Sequence, residues 1–373
     1  MTSFRNLQHV LACSMFILAL PSTRAASPAP VSNAEDNAGA FHVSAFDFPE
    51  SSLLSEQTRG YLKRRREEAQ RTVSAKVPCP SILNVDAARA KEVEKCEADM
   101  VQSSARYKSM LSQYPALINP QKIAGVSAEV FTPTKGIAPG NEKRVLLNLH
   151  SGGFIAGWLT NSRLESIPIA SVGRIKVISI DYREAPAYTF PAATQDAVAV
   201  YREILKSYKP MNIGIFGCSS GGLLTAETIA WLQKEHLPLP GGVSISCSGA
   251  AYWAEGDSGT LTRAIDGETG RMTGTSNLNP YFRNTYLNDP LAFPARSSAV
   301  MSKFPPTLII SATRDIALSS AVYTHSVLVD QGVDAQLLVW EGLGHAFFND
   351  PDLPASREVY SSIVKFFDKH LDK

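Results

Sequence analysis

A serine hydroxyl attacks an ester or amide carbonyl only when the backbone exposes it and a base stands within hydrogen-bond reach. Gly217-Cys218-Ser219-Ser220-Gly221 offers such a serine. The five residues fit the G-x-S-x-G nucleophile elbow, a strand-to-helix turn so tight that Cβ atoms two places before and after the central residue would collide. That requirement selects Ser219. Cys218 and Ser220 are also nucleophile-type residues, but neither has glycine on both sides at that spacing. Ile213 to Phe216 reads as the short buried strand entering the turn, and Leu223 onward as the helix leaving it.

The base must come from seven histidines. His9 and His42 precede any regular pattern, and His236, His325 and His370 sit on helical, solvent-facing patterns. His150 ends a strand well before the elbow. His345 lies in the loop Glu341-Gly342-Leu343-Gly344-His345-Ala346-Phe347, after a strand ending at Trp340, on the carboxyl side of the sheet where α/β sites form. Asp315 holds the matching position after the strand before it and can orient an imidazole there; a helix-capping role is its alternative. Asp350 follows no strand. Acyl transfer also needs N–H donors aimed at the developing oxyanion. The turn His150-Ser151-Gly152-Gly153-Phe154 follows a buried strand, and its glycines let the backbone approach a substrate oxygen. Gly152 and Gly153 are the candidate donors, with the N–H of Ser220 as a third. The chemistry needs no metal and no cofactor, and no CxxC or Cys/His pairing suggests either.

These residues must be carried by a sheet. From Gly125 the chain alternates strand and helix patterns, with Val126–Phe131 as an edge strand. Buried strands are predicted at Arg144–Leu149, Lys176–Ile180, Ile213–Phe216, Gly242–Ser246, Thr307–Ser311 and Ala335–Trp340, and a final helix at Ala355–Leu371. The rhythm breaks between Gly249 and Pro305 in an aromatic-rich insertion. Its aromatics can line a pocket or form a satellite core. Helical patterns at Glu50–Thr72 and Asn84–Leu117 come before the first strand.

With 373 residues, 44% hydrophobic and 19% charged, the chain can bury a large core, and a net charge of +1 gives no reason to expect a nucleic-acid partner. Residues 1–25 read as a signal peptide, from Arg5 through the apolar Val10–Leu20 to a small-residue site at Thr23-Arg24-Ala25. Export to periplasm or medium is the expectation, without stable membrane insertion, because a spanning helix needs about 20 apolar residues. Residues 26–48 read as a linker. In an oxidising compartment Cys79 and Cys96 can close a short loop as a disulfide, while Cys218 and Cys247 read as buried thiols at strand ends.

The motifs together resemble the hormonesensitive-lipase-like family of α/β-hydrolases, the bacterial family IV carboxylesterases. The family's H-G-G-G stands here as His150-Ser151-Gly152-Gly153, and its G-D-S-A-G-G as Gly217-Cys218-Ser219-Ser220-Gly221-Gly222. Asp181-Tyr182-Arg183-Glu184-Ala185-Pro186, Phe190-Pro191-Ala192-Ala193 and Asp196 are similar to its D-Y-R-L-A-P…F-P-A-A…D segment. The order Ser219, Asp315, His345 is also that of α/β-hydrolases. The resemblance implies an α/β-hydrolase fold over residues 125–373, with a mainly parallel sheet, helices on both faces, and a helical cap built from residues 49–124 and about 250–305. It implies a serine carboxylester hydrolase acting on small to medium acyl or aromatic esters, through Ser219, Asp315 and His345 and an oxyanion hole of Gly152, Gly153 and Ser220. The same residues serve an amidase, peptidase or lactonase, and a catalytically silent ligand-binding relative is the alternative outside enzymes. Departures are Ser151, Cys218, Ser220, Glu184 for the usual Leu, and Ser319 where a second acid often stands. Oligomeric state is not legible in the sequence.

Overall fold

Successive residues of a strand point to opposite faces, so a strand covered on both sides reads as an unbroken apolar run. The computed structural model describes residues 47–72, 79–80, 87–265 and 279–372. The predicted leader and nearly all of the predicted linker lie outside the described residues. Eight strands form one sheet: β1 (Ala116–Ile123), β2 (Val126–Pro133), β3 (Val145–Leu149), β4 (Lys176–Ile180), β5 (Ile213–Cys218), β6 (Gly242–Ser246), β7 (Thr307–Arg314) and β8 (Ala335–Gly344). Their order is β1-β2-β4-β3-β5-β6-β7-β8; β1–β2 and β2–β4 are antiparallel and every other pair is parallel.

Alternation along the strands feeds two cores. Leu147, Ile178, Ile215, Ile245 and Ile309 face one layer, where α5 (Ala192–Ile204), α6 (Ser220–Lys234) and α9 (Leu318–Asp330) pack. Leu146, Val177, Phe216 and Ile310 face the other, where α3 (Ala105–Gln113), α4 (Asn161–Gly173) and α10 (Pro354–His370) pack. Helices therefore cover both faces. Before the sheet come α1 (Glu56–Thr72) and α2 (Ala87–Ser103); the long insertion between β6 and β7 carries α7 (Asp257–Ile265) and the single turn α8 (Ser298–Met301). The described residues from Phe48 onward belong to one compact unit. Among the described residues no helix is long and apolar enough to cross a membrane.

The structure departs from the sequence reading at several places: β2, expected as an edge strand, is flanked by β1 and β4, and the helix expected from Glu50 begins at Glu56. The helical pattern predicted from Asn84 to Leu117 is two helices, because the hydroxyl of Ser104 accepts from the N–H of Tyr107 and starts α3 afresh. The chain then forms β1, a strand not foreseen. It is an edge strand with no buried residue and with Pro120 inside it, so it lacks an apolar signal, and Pro is tolerated because the edge leaves N–H groups unpaired. Ala124 (φ 49°) and Gly125 (φ 84°) make the two-residue turn into β2. Lastly, β7 and β8 run past their predicted ends, with consequences for the site.

In the insertion Tyr281, Phe282 and Phe293 are fully buried and Tyr252 nearly so, whereas Tyr286 is 82% exposed. Tyr281 and Phe282 pack on Phe154, with Tyr281 stacked 4.4 Å from it, centroid to centroid, and Tyr252 and Phe293 pack on Phe282. Most of the aromatics are therefore core.

Cys79 and Cys96 form a disulfide that ties the segment before α2 to that helix, and Cys218 and Cys247 are buried free thiols. Replacing both Cys79 and Cys96 by serine is expected to lower the free energy of unfolding by about 3 kcal/mol. Urea unfolding measures this; a midpoint equal to that of the intact chain would show that the bridge adds no stabilising constraint.

Candidate active site

Ser219 sits between the last residue of β5 and the first of α6, at φ 56°, ψ −121°, a backbone posture that L-residues seldom adopt. Its N–H donates to the carbonyl of Ser246 at 2.8 Å. The flanking glycines are required by contact. A Cβ on Gly217 would lie 2.3 Å from the Leu149 carbonyl oxygen, and one on Gly221 would lie 1.8 Å from the same atom and 2.6 Å from that of His150. The start of α6 is thus pressed directly onto the end of β3, beside the glycine-rich turn.

The base and its orienting acid are placed by the sheet register. β7 and β8 pair from Thr307↔Ala335 to Ala312↔Trp340, then through a bulge to Arg314↔Gly344. The next residue on each strand is Asp315 and His345, side by side. His345 Nδ1 and Asp315 Oδ1 are 2.7 Å apart, and His345 Nε2 is 2.9 Å from Ser219 Oγ. Asp315 is buried, and it also accepts from the Ser311 hydroxyl at 3.0 Å and the N–H of Ala317 at 2.9 Å. Both carboxylate oxygens are therefore engaged. With Nδ1–H donated to Asp315, Nε2 presents its lone pair to the serine hydroxyl. Asp350, the other acid considered, is held instead by the Tyr61 hydroxyl and by Arg65 and Arg106.

The turn after β3 lies against the elbow. Gly152 has φ 137° and Gly153 φ 67°. A Cβ on Gly152 would fall 1.5 Å from the carbonyl oxygen of Ala156, so only glycine fits. Among the described residues the N–H groups of Gly152 and Gly153 donate to no protein acceptor. The N–H of Ser220 begins α6 and is one of the donors that a helix start leaves unpaired. These are the three N–H groups expected from the sequence as oxyanion donors, and the glycine lost from the family motif at Ser151 leaves them in place. Ser151 donates its N–H to Glu165 Oε1 at 3.0 Å, while Asn148 donates to Glu165 Oε2 at 3.0 Å and accepts from the Ser179 hydroxyl at 2.7 Å.

Glu165 was missed by the sequence reading, although a lone carboxylate among Leu164, Ile167 and Ile169 was a visible signal. It is buried, and burial pushes its pKa up to about 7 against the opposing pull of the bonds from Ser151 and Asn148. His150 is fully buried, its ring stacked 4.3 Å from Tyr182, and burial lowers its pKa to about 4. It is a neutral packing group, not a second base. At the family's Leu position, Glu184 is buried, and burial together with Glu94 and Asp181 drives its pKa well above the carboxylate range. At the position without the second acid, Ser319 exchanges two hydrogen bonds with Ser258 at 3.0 and 2.9 Å, pinning α7 to α9.

Beside His345 runs a cleft of about 420 Å3 lined by Thr262, Arg263, Ile265, Arg314, Ile316 and Gly344. Among the described residues, the grouping of metal-ligand types close enough to share an ion is Cys247, Asp315 and His345. Two of its donor atoms are already bonded to each other in the Asp315–His345 contact.

Residues 146–349 match the α/β-hydrolase fold family. An acetyl-hydrolase of Streptomyces hygroscopicus is 25% identical over 265 residues, which cover 65% of this chain and 87% of that one. The solved structure of an esterase superposes with a TM-score of 0.72 at 27% identity, covering 89% of this chain and 99% of the other. A second solved esterase, from the bacterial hormone-sensitive lipase family, gives a TM-score of 0.67 at 25% identity over 85% of this chain and 99% of its own.

Because the folded state holds a proton on Glu165 up to about pH 7 and the unfolded chain releases it near the ordinary value of 4.5, this residue favours folding below pH 4.5. That contribution, roughly 3 kcal/mol, is lost as pH rises toward 7. Asp181, Glu184 and Glu227 act in the same direction, so the test is a difference. Relative to the parent, Glu165→Gln should gain stability steadily between pH 4.5 and 7 in urea unfolding. A difference that stays constant across that range would contradict the assignment.

Proposed function

The chain belongs to the α/β-hydrolase fold family, and from that premise we propose that it is a serine carboxylester hydrolase working through an acyl-enzyme. One observation carries the reading: the unbroken line of short contacts from Ser219 Oγ through His345 to Asp315, 2.9 and 2.7 Å long. In the proposed reaction His345 Nε2 takes the hydroxyl proton as Ser219 Oγ bonds to the ester carbonyl carbon. The carbonyl oxygen becomes an oxyanion and is met by the N–H groups of Gly152, Gly153 and Ser220. His345 then gives its proton to the departing alcohol. Water, activated by the same imidazole, releases the acid and restores the serine. Asp315 holds the ring in the tautomer that each transfer needs.

Small to medium acyl groups are the proposed substrates, supported by relatives named acetyl-hydrolase and versiconal hemiacetal acetate esterase. The cleft beside His345 supplies room for one side of the ester. The helical cap expected over residues 49–124 is cut short, because α3 packs in the core layer with α4 and α10 and Ala116–Ile123 is a sheet strand; α1, α2 and the insertion at about 250–305 are proposed to form the cap over that cleft. Export is proposed as well, supported by the leader-like first 25 residues and by the Cys79–Cys96 disulfide, a bond that persists in oxidising compartments.

The test is hydrolysis of p-nitrophenyl esters over a series of acyl lengths. The mature chain should turn over short and medium esters, and Ser219→Ala and His345→Ala should each lose at least roughly 10⁴-fold in kcat. A folded Ser219→Ala variant as fast as the parent would overturn the reading.

A further inference from the structure

An oxyanion hole stabilises charge only if its donors are held in place before the charge appears. Two of the proposed donors are glycines, the residues with the greatest backbone freedom. Something outside the turn must therefore hold them. From beneath, Glu165 grips the N–H of Ser151, and within the turn Ile155 and Ala156 donate to the Gly152 carbonyl at 3.1 Å. The carbonyl of Gly153 faces the other way. It accepts from the side-chain amide of Asn279, Nδ2 to O 2.7 Å, across 126 residues of sequence.

Asn279 is itself fixed on every side. Its Oδ1 accepts from the N–H of Tyr281 at 2.9 Å, its own N–H donates to the Tyr252 hydroxyl at 3.1 Å, and its carbonyl accepts from the N–H of Phe282 at 2.8 Å. With Oδ1 committed to a donor, the amide can turn only its NH2 toward Gly153. The next residue of the turn, Phe154, is stacked on Tyr281, one turn of chain from the same asparagine. Among the described residues, and its chain neighbours apart, only the Asn279 amide nitrogen lies within 4 Å of where a Gly153 Cβ would stand, at 3.9 Å.

We propose that Asn279 is a positioning residue: its amide, delivered by the insertion between β6 and β7, clamps the Gly153 carbonyl and thereby sets the direction of the oxyanion donors. The inference rests on the hydrolase reading above. It makes the hole a joint product of the catalytic core and the insertion.

Asn279→Asp has the same shape and keeps the acceptor for Tyr281, but turns an oxygen toward the Gly153 carbonyl. Asn279→Ala removes the amide without adding charge. Rates are normalised to active sites titrated by the p-nitrophenol burst. In both variants kcat should fall roughly tenfold or more with KM unchanged, since a donor displaced by a fraction of an ångström loses transition-state contact and not substrate binding. Affinity for an aryl trifluoromethyl ketone, which becomes an oxyanion on the enzyme, should fall by the same factor as kcat/KM. Affinity for the matching alcohol, which forms no oxyanion, should not change. A merely structural role would lower the titratable fraction and leave these ratios alone; that result, or kcat and ketone affinity equal to the parent's in either variant, would overturn the inference. A parent chain inert to both ester and ketone would instead overturn the hydrolase reading, and the clamp with it.

Discussion

Ser219 is held at φ 56°, ψ −121°. A non-glycine residue in such a posture costs on the order of 1–3 kcal/mol and persists only where its surroundings leave no alternative. Here the surroundings are the end of β3, so close to the start of α6 that neither Gly217 nor Gly221 could carry a single further carbon. The same closeness brings the turn bearing Gly152 and Gly153 alongside the serine. Strain at one residue and proximity of the hole are thus one packing event.

How much of this was legible follows from where each piece keeps its information. The elbow could be read because its constraint is steric and local: glycine at fixed offsets leaves a mark in five residues. Asp315 and His345 could be read because each follows an apolar run that ends a strand, and the ladder then aligns them. The bulge between Ala312 and Arg314, which completes that alignment, leaves no comparable mark. The strand β1 was not legible for the opposite reason: none of its residues is fully buried and Asn119–Lys122 are exposed, so no apolar alternation marks it. Glu165 left a mark as a lone carboxylate in an apolar helix, but its partner Ser151 did not, and Asn279 reaches Gly153 across 126 residues, a distance at which a partner cannot be read from spacing. The aromatic residues of the insertion carried a signal that was ambiguous between pocket and core, and burial decided it for Tyr281, Phe282 and Phe293.

Around the site the interior holds an unusual amount of acid. Glu165, Glu184 and Glu227 are all buried, and burial raises each carboxyl's pKa. Glu165 accepts bonds from Ser151 and Asn148, and Glu227 accepts from the Thr194 hydroxyl at 2.6 Å. A buried carboxyl kept protonated avoids the cost of an uncompensated charge and can still bind a donor with its second oxygen. Asp315, equally buried, accepts from the Ser311 hydroxyl and the N–H of Ala317 and lies against His345 Nδ1.

The pairing of β7 with β8 carries a last consequence. Asp315 and His345 follow the carboxyl ends of these two parallel strands, while the connection between the strands crosses over through α9 and re-enters the ladder at its other end, at Ala335. The distance between acid and base is therefore written in ladder spacing and owes nothing to that connection.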